Sequence, residues 1–143
     1  MRDLATKIAA VAALGPVAAN ADATSAAIDL QGYDGATIVL GIGVGGIAFD
    51  ATNKIEFVVT HSDDNVSYSQ VAASDLCGPS SPAAVSGGIV KSLVAAHPAI
   101  ESFAVGYVGN RRYLKVLADF SGTHGTATPL SVTVIKGAPR RAP

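Results

Sequence analysis

Short runs of β-branched and apolar residues, cut by turn clusters at roughly the 8–12 residue spacing of sandwiches and barrels, leave this chain few possible folds. The first run, at 27–30, is closed by Gly32 and the turn Tyr33-Asp34-Gly35. Residues 36–44 hold Thr37, Ile38, Val39, Leu40, Ile42 and Val44, too many apolar positions for a strand with one solvent face, so the run is central or covered on both sides. Residues 54–60 alternate, with Ile55, Phe57 and Val59 on one side and Glu56, Val58 and Thr60 on the other. The turn cluster Ser62-Asp63-Asp64-Asn65 and a return run at 66–71 then predict a hairpin. Further strands are expected at 89–95, ended by His97-Pro98, and at 103–108, 112–120 and 130–136. Gly109-Asn110 reads as a hairpin-type turn between the second and third of these. The Ser-, Pro-, Gly- and Ala-rich stretch 72–88 reads as a long loop with one helical turn at Ser74-Asp75-Leu76.

These runs predict an all-β chain: a single β-sandwich or jelly-roll-like domain of about seven or eight strands. Val39, Phe57, Val105, Leu114, Val116, Val132 and Val134 are its expected core. The domain would span residues 25–137, between an N-terminal arm at 1–24 and an extended tail at 138–143. No segment after the arm has a helical period, and 143 residues suit one domain.

The N-terminus resembles a secretion signal only superficially. Arg2 and Lys7 flank an apolar stretch, and Ala19-Asn20-Ala21 has a small-x-small form, but Asp3 sits among the basic residues and Gly15-Pro16 interrupts an Ala-rich run. The stretch is shorter than the roughly 20 apolar residues of a membrane helix. It is expected instead to be an ordered apolar arm that packs on its own domain or on a neighbour, reaching away from the β core to touch neighbouring subunits. The tail, carrying Pro139 and Pro143, is expected to do the same.

Composition sharpens the reading. Charged residues make up only 15% of the chain and apolar ones 49%. A soluble domain averages roughly 25% charged residues, so a surface poor in charge points to cover by other subunits. The net charge of −1 argues against general nucleic-acid binding. From residue 111 onward, however, Arg111, Arg112, Lys115, Lys136, Arg140 and Arg141 face the single acid Asp119. The lone Cys77 excludes an intrachain disulfide and reads as a small hydrophobe.

Several motifs carry the letters of chemistry without its context. Residues 41–46 (Gly41, Gly43 and Gly46) spell GxGxxG after a strand, but a dinucleotide site needs a helix opening at the last glycine. Only residues 47–53 separate it from the next strand, so a close backbone approach is the better reading. His61-Ser62-Asp63 lies in a hairpin turn, where adjacent side chains diverge instead of converging as a triad must. Asp63-Asp64-Asn65 lacks the further oxygen ligands of a calcium loop. His61, His97 and His124 have no metal-ligand spacing. Asn65-Val66-Ser67 has only the pattern of a glycosylation sequon. No cofactor, metal or catalytic residue is expected.

Three stretches nevertheless form a recognisable set. Met1-Arg2-Asp3-Leu4, then Ile28-Asp29-Leu30-Gln31-Gly32-Tyr33-Asp34, and Tyr107-Val108-Gly109-Asn110-Arg111-Arg112-Tyr113-Leu114-Lys115-Val116 resemble small proteins encoded among the head genes of tailed phages and prophages of alphaproteobacteria. The turn Thr60-His61-Ser62-Asp63-Asp64-Asn65, followed by Tyr68 and Val71, is similar to that family's strand, Ser-Asp-Asp-Gly, strand pattern, with Asn65 in place of the turn glycine. The resemblance implies a virion component and brings no catalytic signature. With size and composition it leads to the expectation of a non-enzymatic capsid decoration (cement) protein, made in the host cytoplasm and carried on the capsid surface. Its expected partners are the major capsid protein and itself, as a homotrimer, with neither nucleic acid nor membrane. Met1, Arg2, Leu4, Ile8, Arg140 and Arg141 are the candidate partner-binding residues. The alternatives are a tail or neck component, such as a tube or adaptor subunit, and a carbohydrate-binding or adhesion module.

Overall fold

The computed structural model describes residues 3–139. They form eleven strands: β1 (Ala9–Ala19), β2 (Ala23–Thr24), β3 (Ile28–Asp29), β4 (Tyr33–Ile42), β5 (Lys54–Ser62), β6 (Ser69–Gln70), β7 (Leu76–Cys77), β8 (Ile89–Leu93), β9 (Glu101–Tyr107), β10 (Tyr113–Ser121) and β11 (Thr128–Pro139). Short 3-10 turns occupy Ala5–Lys7 and Ala73–Asp75. All strand pairs are antiparallel. One sheet runs β1-β11-β4-β9-β7, and the other centres on β10 and β5, with β2 and β3 along one edge and β6 and β8 along the other. The fold is a β-sandwich, as the turn spacing predicts. The strands beyond the expected seven or eight are mostly two-residue pieces.

The core follows from alternation on the long strands. Ile38, Leu40 and Ile42 of β4 and Val132 and Val134 of β11 meet Ile55, Phe57 and Val59 of β5 and Leu114 and Val116 of β10, all buried. Each contributes roughly 1.5–3 kcal/mol on burial. Val39 is the exception to the expected core. On β4 the inward phase belongs to Ile38 and Leu40, and Val39 is half-buried on the outside.

Two further expectations are corrected. Residues 9–19, expected to belong to a detached arm, form edge strand β1, paired with β11 from Ala9↔Lys136 to Ala19↔Thr128. Small side chains suffice there: Ala13 and Ala19 are buried, and Val11 and Leu14 pack on the core margin. The tail likewise begins as strand, because β11 continues through Gly137↔Gly35 and Pro139↔Tyr33. Beyond Lys136 no β1 residue flanks β11, and an edge segment tolerates the donor that Pro139 lacks. The segment around Gly109-Asn110 is also no hairpin. β9 lies in the first sheet and β10 in the second, so residues 108–112 cross the end of the sandwich.

Candidate assembly interface

The two outer faces of the sandwich differ in charge. On the first sheet the outward positions are Thr37, Val39 and Gly41 of β4 and Ser131, Thr133 and Ile135 of β11, all half-buried between neighbouring strands. Ser102, Ala104 and Gly106 of β9 share this face, as do Ala10 and Ala12 of β1. Cys77 on β7, exposed where the sequence suggests a small buried hydrophobe, completes it opposite Gly106. The register holds them together: Val39 lies opposite Thr133 on one side and Ala104 on the other, and Thr133 lies opposite Ala12. None of these side chains is charged. Glycine keeps the face flat, since a Cβ on Gly41 would lie 2.6 Å from Ser131 Oγ, and one on Gly106 2.5 Å from Cys77 Sγ.

At one end the face opens into a shallow groove of about 550 Å³ lined by Pro16, Val17, Gly43, Ile100 and Pro129 and also by Glu101, whose carboxylate is paired with Lys91 and His97. Ile100 is 82% exposed and Val17 41%. An uncharged sheet face running into exposed apolar side chains is unusual for a surface left in water.

The second sheet has an ordinary wet face. Lys54, Glu56, Lys115 and Asp119 occupy outward positions on its two central strands. Glu56 and Asp119 stand directly opposite one another, a like-charge pair that costs stability. Lys54 Nζ lies 2.8 Å from Glu56 Oε1 and offsets it. Lys115 Nζ sits 4.6 Å from the Tyr68 ring centroid.

Residues 28–31, 61–63 and 107–112 meet at one end of the sandwich, as braces between elements. Arg112 Nε and Nη2 donate to Asp29 Oδ1 and Oδ2 at 2.9 and 2.8 Å, and Nη2 also donates to Gln31 Oε1 at 2.7 Å. This fork holds the Asp29 carboxyl down at about 2. Arg111 Nη1 donates to Asp63 Oδ2 at 3.1 Å. Beneath them His61 Nδ1 lies 2.8 Å from Tyr107 Oη, both residues buried. Burial pushes the His61 imidazole below its ordinary range and the Tyr107 phenol above its own. The Arg111 N–H also donates to Tyr107 Oη, at 3.4 Å. A polar cleft of about 270 Å³ opens here between Tyr33, Asp34, Asn110 and Arg112.

The chemistry-like motifs resolve into structure. His61, Ser62 and Asp63 diverge: His61 meets Tyr107, Ser62 Oγ donates to Asp64 Oδ1 at 2.9 Å, and Asp63 meets Arg111. Asn65 takes the turn's left-handed conformation at φ 60°. Asp64 Oδ1 accepts from the Val66 and Ser67 amides. His97 bridges the Gly43 carbonyl and Glu101, and His124 contacts the Ser121 carbonyl. Among the described residues no group of three or more His, Cys, Asp or Glu side chains is placed to hold a metal. The glycines at 41–46 mark close backbone approach, for a Cβ on Gly46 would lie 2.4 Å from the Ala127 and Thr126 carbonyl oxygens.

Of the expected partner-binding residues, Leu4 is 61% exposed and Ile8 half-buried, just before the point where Ala9 pairs Lys136. Met1, Arg2, Arg140 and Arg141 lie outside the described residues. The residues that build the uncharged face were missed as a site. The excess of apolar residues in 36–44 marks a strand that is central or covered on both sides, and β4 is the central strand of its sheet. No protein-family model matches the chain, and no curated protein sequence matches it.

Proposed function

We propose that this chain is a structural virion protein, a capsid decoration (cement) protein that binds and stabilises the head shell of a tailed bacteriophage. The observation that carries the assembly part of this reading is the segregation of charge: four charged side chains on the two central strands of one sheet and, among the described residues, none on the outer positions of the other. A protein working alone in water has no use for such a face, whereas a subunit locked among neighbours does. The head assignment rests on the resemblance to phage head proteins. Many identical copies bound to one state of a shell stabilise that state by mass action, and weak contacts suffice when repeated. The role is non-enzymatic, with the major capsid protein as partner and the capsid surface as location.

The carbohydrate-binding alternative finds no support in the aromatic residues. Tyr33, Tyr68 and Tyr113 each have a cation over the ring, from Lys136, Lys115 and Arg112, and Tyr107 is buried. A ring-forming tail component built by strand addition needs an open sheet edge. The β1 edge is interrupted by Pro16 and two register shifts, and the Ala26 amide already occupies the Ala13 carbonyl.

The test is antibody-labelled electron microscopy of purified parent particles, with copy number from quantitative mass spectrometry. Label over the heads, in numbers comparable to the major capsid protein, supports the proposal. Label confined to tails or necks, or a chain absent from particles, overturns it.

A further inference from the structure

We infer that the outer face of the five-stranded sheet is the contact between two copies of this chain, which pair face to face about a two-fold axis. The inference deepens the assembly reading, on which it rests for why the face is covered at all. A face without charge among the described residues is poorly matched by the outer face of the other sheet, where Lys54, Glu56, Lys115 and Asp119 would be stripped of water with only the Lys54–Glu56 pair and the Lys115–Tyr68 contact to offset the cost. The same face on a second copy has no such mismatch, and a patch that complements itself closes as a two-fold dimer. The three-fold clamp expected from the sequence would need two different surfaces that fit each other.

Shape and size agree. Gly41, Gly106, Ala12 and Ala104 leave the face flat and let two sheets approach closely. Four strands at about 4.8 Å spacing with about seven residues of roughly 3.4 Å each, together with the two-residue β7, cover roughly 490 Å² in projection. That is more than half of the roughly 800 Å² per partner of a standard stable interface, and the groove beside Val17 and Ile100 adjoins it.

The experiment is light scattering on the full chain at micromolar concentration, for the native protein and three single variants. Thr133→Glu and Ser102→Glu each place a carboxylate on the face, and Thr60→Glu places one on the charged sheet as a control. Circular dichroism and melting of each variant check that it is folded. The expected masses are twice the 14.3 kDa chain for the native protein and Thr60→Glu, and one chain for the two face variants. A native protein of one chain mass, a mass of three chains, or folded face variants that keep the double mass overturns the pairing. Attachment to parent particles, measured in parallel, separates this inference from the reading above. A native monomer that coats heads defeats only the pairing, and a dimer that binds no head defeats only the decoration role.

Discussion

At the residue scale, titration is where the structure makes its sharpest demands. His61 is 6% exposed and its Nδ1 lies 2.8 Å from the Tyr107 hydroxyl. Its folded-state pKa lies below the usual 6.5 because burial disfavours the cation. The unfolded chain therefore binds the proton more readily, and stability present above 6.5 is lost as pH falls below it. Melting temperature should drop between pH 7 and pH 5, and the drop should be smaller in His61→Gln, which keeps an acceptor near Tyr107 but cannot titrate. Equal drops in the two proteins would contradict this. Asp29 acts in a lower window. Its carboxyl titrates near 2 when folded against 3.8 ordinarily, so its contribution is complete above about 4 and fades towards 2. Asp29→Asn should melt below the native protein at pH 7, and the gap should close on acidification to pH 2. A constant gap would show that the fork to Arg112 is not its source.

At the element scale, the strands that sequence reasoning identified and those it missed differ in side-chain chemistry. β5, β10 and β11 were legible because Ile, Val, Leu and Phe alternate with polar residues along them. β1 was illegible because Ala is a poor strand former and the Ala-rich run imitates a leader or an arm. Its pairing with β11 and the cover it gives the core margin, both tertiary, decide the matter. The turn at Gly109-Asn110 was placed correctly but joined to the wrong partner, since turn residues do not say whether the chain returns along its own sheet or crosses to the other. Val39 falls on the outer face with Thr37 and Gly41, and the alternation of Ile38, Leu40 and Ile42 marks the inward phase; reading the run as central or covered on both sides passed over that alternation. The corrected role of β1 has a consequence. A chain lacking residues 1–20 should lose at least about 2 kcal/mol, from Val11, Leu14 and the buried Ala13 and Ala19 together, read as a lower urea midpoint. Unchanged unfolding would return the segment to the status of an arm.

At the scale of the whole molecule, the low charge content seen in the sequence becomes an asymmetry. Composition showed that charge was scarce, but its absence from one face appears only once register sets Thr37, Val39, Ser131, Thr133, Ser102 and Ala104 side by side. Asp29, His61, Asp63, Tyr107, Arg111 and Arg112 contribute differently, as hydrogen-bonded braces at one end. The account thus ties function to a surface rather than to a pocket, and the most direct measurement is a cryo-EM map of the parent particle. The account predicts this sandwich on the outside of the head shell, with the Thr133 face covered by protein and the Lys54–Glu56–Lys115–Asp119 face open to solvent. A map with no such density on the head, or with the Thr133 face bare towards solvent, would contradict it.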